Sequence, residues 1–110
     1  MASKETMEKL LEMAKRKCKI TWESEDTTAI ITEIVEESCV AVKSKIGINA
    51  HADDSVFLEP GLARTLWKEY CLYKWNDMAE EFDNAYLGEI MQARRENEVS
   101  YYEKKKEAQI

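Results

Sequence analysis

Turn-forming residues are scarce in this sequence. It holds only three glycines and one proline in 110 residues, too few for the many tight turns of a β-sandwich or a β-barrel. Hydrophobic residues make up 45% of the chain and charged residues 35%, enough apolar material for one hydrophobic core under a soluble surface. We therefore predict an all-α fold: a small bundle of about four helices, formed by an antiparallel helical hairpin and two further helices, with a mobile charged C-terminal tail.

Charge is segregated along the chain. The formal net charge is −6, and the segments contribute +3 over residues 3–19, −7 over 20–59, −3 over 60–93 and +1 over 94–110. Nonspecific affinity for nucleic acid comes from Lys and Arg side chains that neutralise phosphates. An acidic chain therefore argues against a protein whose main role is to grip DNA or RNA.

The sequence gives no sign of a membrane segment. No stretch approaches the roughly 20 apolar residues that cross a bilayer, and the opening segment MASKETMEKL lacks the hydrophobic centre of a signal peptide. We expect a cytoplasmic protein with no membrane partner. Cys18, Cys39 and Cys71 form no CxxC pair, which fits a reducing compartment.

Two amphipathic segments occupy the first half of the chain. Ser3 is a candidate helix cap, and apolar residues follow it at spacings of three and four as far as Cys18, so we expect a helix that ends near Ile20. Ser24 is the candidate cap of a second helix that ends at Gly47. The short link between them predicts an antiparallel hairpin. The polar face of the second helix is predicted to hold Glu33, Glu36, Lys43 and Ser44.

The third predicted helix is the most apolar. Residues 47–59 show no helical period and are expected to form the longest loop, and Pro60 then fits the first turn of the helix. Apolar residues from Leu62 to Met78 spread over more than half of the helix circumference. Such a helix packs centrally, against two neighbours or against another subunit.

A fourth apolar stripe follows after Asn76 and Asp77, running from Ala79 to Ala93. Either a kink or a short break separates it from the third helix. Gly88 lies on the polar side of this stripe, so we expect it to weaken the helix by roughly 1 kcal/mol without ending it.

The C-terminal segment has a different character. We divide the chain into a helical bundle domain at residues 1–93 and a C-terminal helical extension or tail at residues 94–110. Its charge pairs stabilise a helix by only roughly 0.2–0.5 kcal/mol each, too little to fold an isolated segment. We therefore expect the tail to dock on a partner and to gain order on assembly. The predicted subunit or partner interface comprises Trp67, Trp75, Arg94, Arg95, Val99, Tyr101 and Tyr102.

No arrangement of residues predicts catalysis. His51 is the only histidine, and with Asp53 and Asp54 it lies in a loop that lacks the fixed geometry of a metal site. The three cysteines fall on apolar or mixed helix faces, where a reactive thiolate is disfavoured. The glycines at 47, 61 and 88 are too far apart for a phosphate-binding loop. We predict a protein that is not an enzyme and has no catalytic residue, metal or cofactor.

The most aromatic segment is YCLYKWND, residues 70–77. Tyrosine and tryptophan side chains stack on bases in single-strand-binding proteins, but this segment has acidic surroundings and no basic groove beside it. We therefore predict that these aromatic residues pack in the core, together with Phe82 and Tyr86.

The order of these elements resembles that of a known family. A short amphipathic helix, the link TWESED, a long helix ending in KSKIG, a loop, and then PGLARTLWKEYCLYKWNDMAEEFDNAYLGEIMQAR are similar to the head-tail connector (adaptor) proteins of tailed bacteriophages. The resemblance covers nearly the whole chain and is clearest in residues 62–95. The matching positions there are Arg64, Leu66, Tyr70, Tyr73, Trp75, Asn76, Phe82, Tyr86 and Arg94.

The resemblance implies a structural role in the phage neck. It implies a homo-oligomeric ring around the DNA channel of the virion, assembled in the host bacterial cytoplasm, with the portal protein on one side and a stopper or tail-completion protein on the other. DNA would pass through without specific binding. Because each phosphate contact adds grip, a channel wall that lets DNA slide should be acidic or neutral.

Two other classes of protein remain open. A stand-alone helical interaction or regulatory module would expose one apolar groove and stay a monomer or dimer. A small DNA-packaging factor would need a basic recognition helix, and the only basic helix end here lies at residues 15–19.

Overall fold

The chain folds into α-helices, as predicted. A computed structural model describes residues 3–108, and among these the side chains of residues 3–98. The described residues contain no β-strand. The five α-helices are α1 Lys4–Lys17, α2 Glu25–Lys45, α3 Leu62–Trp75, α4 Phe82–Ala85 and α5 Leu87–Ala108, with two short 3₁₀ helices at Asp54–Leu58 and Ala79–Glu81.

Both predicted caps of the helical hairpin are confirmed. The hydroxyl oxygen of Ser3 accepts a hydrogen bond from the backbone N–H of Thr6 at 3.1 Å, and that of Ser24 accepts one from the backbone N–H of Thr27 at 3.4 Å. Each bond satisfies one of the free N–H groups at a helix start. Helix α2 is followed by Gly47 in the left-handed region, with φ +76°, the usual geometry just past a helix end.

Helix α3 is the central helix, as its broad apolar surface predicted. It packs against α1, α2, α5 and both 3₁₀ helices. Leu66, Trp67 and Cys71 are fully buried on it, and the Trp67 ring stacks on Phe57, with ring centroids 5.8 Å apart. The core of the protein therefore surrounds α3 on most of its circumference.

The prediction of an irregular loop at residues 47–59 was wrong in its second half. Asp54–Leu58 form a 3₁₀ helix, and Phe57 is fully buried there. A 3₁₀ helix has three residues per turn, and this one has a single buried side chain. It therefore produces no 3.6-residue repeat of apolar residues in the sequence. Helix α3 begins at Leu62, so Pro60 precedes the helix and does not lie in its first turn.

A short break separates α3 from the next helix, one of the two alternatives that the sequence left open. Asp77, with φ +60°, lies just past the end of α3, and a second bend at Tyr86 separates α4 from α5. The single fourth helix predicted from Ala79 to Ala93 was therefore wrong: the segment is divided into a 3₁₀ helix, α4 and the start of α5. Gly88 does not end a helix, as predicted, but it is the second residue of α5. The predicted aromatic core is confirmed: the rings of Tyr70, Tyr73, Phe82 and Tyr86 pack together with centroids 5.0–5.8 Å apart.

The backbone of α5 is helical as far as Ala108. Residues 94–108 thus continue the helix that starts in the bundle, in line with the helical alternative for the C-terminal segment. The expected gain of order on assembly stays a prediction.

Candidate functional site

The predicted interface residues lie in different environments. Trp67 is fully buried inside this chain, so its assignment to an interface was wrong. The apolar surplus of α3 that suggested a partner is covered by other helices of the same chain. Trp75, near the end of α3, is half-buried and packs against the core.

The other predicted interface residues lie on α5. The side chains of Arg94 and Arg95 are exposed. Val99, Tyr101 and Tyr102 belong to α5 by their backbone, but their side chains lie outside the described residues. The described side-chain surface of α5 therefore runs from Leu87 to Glu98.

A shallow groove lies between the end of α2 and the first turns of α5. Leu87 and Met91 are 58% and 46% exposed beside it, whereas Ile90 turns inward and is buried. The groove is lined by Ser44, Lys45, Asp83, Leu87, Ile90, Met91 and Arg94. An apolar strip between charged walls is the usual form of a surface that binds another helix.

Three contacts hold the walls of this groove in place. The Lys45 ammonium pairs with the Asp83 carboxylate at 2.7 Å and lies 5.6 Å from the centre of the Tyr70 ring. Farther along α5, the Asn97 amide donates a hydrogen bond to the Ile46 carbonyl at 2.7 Å. The groove is therefore formed by packed helices and not by a loose segment.

A second exposed surface lies on the outer side of α2. Ile30 and Val40 are 51% and 64% exposed. The exposed acidic residues of this helix are Glu25, Asp26, Glu33, Glu36 and Glu37. Residues 20–42 contain no Lys or Arg, so the charged side chains that this part of α2 contributes to the surface are all carboxylates; one of them, Glu37, pairs with the Lys74 ammonium of α3.

Lys43 was predicted to lie on the polar face of α2, and this was wrong. Its side chain is only 3% exposed and its ammonium pairs with Asp54. It also donates hydrogen bonds to the carbonyl oxygens of Ala50 and Ala52, at 3.4 and 3.0 Å. A buried charge needs such partners. Lys43 therefore holds the 47–59 segment against α2. The helical periodicity of the sequence cannot predict this contact.

The His51 segment does not form a metal-binding cluster. His51 is exposed, and within residues 3–98 no group of three His, Cys, Asp or Glu side chains converges as metal ligands would. The Asp53 carboxylate accepts a hydrogen bond from the backbone N–H of Ser55 at 2.9 Å, which lowers the pKa of Asp53. Asp53 acts as the cap of the 3₁₀ helix that follows.

The three cysteines are buried thiols. Burial raises the pKa of Cys18 to about 11 and the pKa values of Cys39 and Cys71 to about 12. The Cys18 thiol lies 3.9 Å from the backbone carbonyl of Cys71. A thiol with a raised pKa is neutral at physiological pH and is a poor nucleophile.

Sequence reasoning missed the exposed apolar residues, although the sequence contains a signal for them. Ile30, Leu87 and Met91 each stand next to an apolar or aromatic residue that lies in the core stripe. Neighbouring residues on a helix point about 100° apart, so one of each pair faces away from the core. A pair is not sufficient by itself, because Ile34 with Val35 and Leu66 with Trp67 are buried at both positions.

Comparison of the chain with protein-family models, with curated proteins and with solved structures gave no match. Among the described residues, no helix is both long enough and apolar enough to span a membrane.

Proposed function

We propose that this chain is a structural subunit of a bacteriophage head-tail connector. In this role it forms a homo-oligomeric ring beneath the portal protein and joins the DNA-filled head to the tail, in the neck of the virion. The observation that supports this most is the exposure of apolar side chains on two different surfaces, one on α2 and one on α5. A ring needs two different complementary surfaces on each subunit, because its contacts are head-to-tail.

The charge of the chain suits a channel through which DNA slides. At a net charge of −6, the ring would carry few of the Lys and Arg contacts that grip phosphates. Specific DNA binding is not part of the proposal. The portal protein is the proposed partner on one side of the ring, and a stopper or tail-completion protein is the proposed partner on the other.

Electron microscopy of the purified chain with its cognate portal protein tests the proposal. We expect a ring with a central hole, coaxial with the portal. If light scattering and microscopy found only monomers or two-fold dimers in the presence of the portal, the connector role would be wrong.

A helical interaction module is the second candidate. The groove beside Leu87 and Met91 favours it, because a shallow apolar strip with the charged side chains of Lys45 and Arg94 nearby suits an amphipathic helix of another protein. Such a module would stay a monomer or a dimer at all concentrations. The same light-scattering experiment therefore separates the two candidates.

A further inference from the structure

Each of the two exposed surfaces has a part in which one sign of charge predominates, and the two signs are opposite. The outer surface at the start of α2, which we name the α2 patch, consists of Asp26, Ile30 and Glu33, all exposed. The outer surface of α5, which we name the α5 patch, consists of Leu87, Met91, Arg94 and Arg95, all exposed. Asp83 lines the same groove, where its carboxylate pairs with the Lys45 ammonium. Each patch thus combines apolar side chains with one dominant sign of charge.

Helical spacing places the members of each patch on one side of their helix. Asp26, Ile30 and Glu33 are four and three residues apart, and Leu87, Met91 and Arg94 repeat the same spacing. Residues three and four apart lie on the same side of an α-helix. Glu98 is one turn beyond Arg94 on α5 and exposed, so the basic character of the α5 patch is confined to Arg94 and Arg95.

One subunit cannot bring its own two patches together. Helix α5 is hydrogen-bonded to the end of α2, through the Asn97 amide and the Ile46 carbonyl. Ile30 lies sixteen residues before Ile46 in the numbering, which is about 24 Å along a helix at 1.5 Å per residue. Contact between an α2 patch and an α5 patch therefore requires two molecules.

We infer that the α2 patch of one copy docks on the α5 patch of the next copy, with Ile30 against Leu87 and Met91, and with Asp26 and Glu33 facing Arg94 and Arg95. This contact rests on the proposed ring and specifies its subunit interface. It is head-to-tail, because each copy contributes one patch of each kind, and such contacts repeat until they close. Opposite charges fix which surfaces meet, and pairing of like patches is repulsive.

Complementary charge-reversal variants test the contact. One variant carries Asp26→Lys and Glu33→Lys, which blocks the α2 patch; the other carries Arg94→Glu and Arg95→Glu, which blocks the α5 patch. We expect each variant alone to self-associate roughly tenfold more weakly than the wild type, because both charge pairs change from attraction to repulsion. The change is measured by light scattering and analytical ultracentrifugation, with circular dichroism to check the fold.

Mixing variants distinguishes this contact from a two-fold one. In the mixture the unchanged α5 patch of one variant pairs with the unchanged α2 patch of the other, and the two reversed patches also pair, so the variants should alternate in assemblies larger than dimers, whereas a two-fold contact would stop at dimers. A chain with all four substitutions should self-associate again, because the two signs are exchanged and the net charge is restored. Glu8→Lys with Glu80→Lys, two exposed acids outside both patches, is the control for net charge alone.

Three results would overturn the inference: a wild type that stays monomeric at its highest soluble concentration, blocked variants that associate like the wild type, or a mixture that stays monomeric. If the wild type forms rings and the blocked variants do so equally well, the contact is wrong while the connector role stands. If rings form only on the portal, the contact alone does not drive assembly and the inference fails. If no ring forms even with the portal, the connector role fails as well.

Discussion

The side-chain amide of Asn97 donates a hydrogen bond of 2.7 Å to the backbone carbonyl of Ile46. Ile46 is the capping residue that follows α2, so Asn97 satisfies a carbonyl that has no partner within the helix. Arg94 of α5 also lies close to this end of α2: a Cβ atom at Gly47 would be 3.9 Å from the Cγ of Arg94. Asn97 therefore anchors α5 to α2 at the point where the apolar stripe of α5 becomes thin.

Replacing Asn97 with Ala should lower the free energy of unfolding by about 1 kcal/mol, the usual contribution of one hydrogen bond. Gln92→Ala is the matched control, because Gln92 is exposed and bonds only to Glu96 on its own helix. Urea unfolding measures both variants. Equal, small effects of the two substitutions would show that the Asn97 bond does not hold α5.

Replacing Lys43 with Met should destabilise the protein strongly, by about 3–5 kcal/mol, because the substitution leaves the carboxylate of Asp54 without its partner in a site that is only 13% exposed. A second change, Asp54→Asn, should recover part of the loss in the double variant. The coupling energy from the double-mutant cycle is the measurement.

Lys45→Met is the control for this prediction. Its partner Asp83 is 61% exposed, and exposed pairs contribute less than about 1 kcal/mol. If the two lysine substitutions had similar effects, burial of the Lys43 pair would not determine its contribution.

The buried cysteines predict loss of stability at alkaline pH. The pKa values in the folded protein are raised from 9.0 to about 11 for Cys18 and about 12 for Cys39 and Cys71. An unfolded thiol ionises nearer 9, so the unfolded state releases protons first and stability falls as pH rises above about 9. The free energy of unfolding measured between pH 8 and pH 11 should show this decline. In the double variant with Cys39→Ala and Cys71→Ala the decline should be shallower, when the stability of each protein is expressed relative to its own value at pH 8.

The same burial predicts slow reaction of all three thiols with a disulfide reagent at pH 8 in the folded protein, and fast reaction in urea. Rapid labelling of one thiol without denaturant would contradict the buried position of that cysteine.

Trp22 and Trp67 should differ in fluorescence. Trp22 is 52% exposed and Trp67 is fully buried, so iodide should quench the fluorescence of Trp22, and this quenching should be absent in the Trp22→Phe variant.

Trp67→Ala should destabilise the protein by about 3–5 kcal/mol, the usual cost of removing a buried Trp from a core. Trp22→Ala, the control, should change stability far less. Equal destabilisation by the two substitutions would place Trp22 in the core.

The helices themselves could be predicted from the sequence because their signals are local. Ser3 and Ser24 cap the helices that they were expected to cap, and the apolar residues of α3 mark it as central. Capping depends on residues three positions apart, and a helical face depends on residues three and four apart. These interactions are present in any arrangement of the helices, so the sequence alone determines them.

The surfaces depended on contacts between distant residues, which only the tertiary structure supplies. Trp67 was expected at an interface and Lys43 in solvent, and both are buried, because Phe57 and Asp54 of the 3₁₀ helix cover them. Conversely, Leu87 and Met91 are exposed because Ile90 on the same helix already faces the core. Local periodicity shows which residues share a face. Which of two apolar faces is covered, and whether a charge finds a buried partner, is decided by segments that meet only in the folded chain.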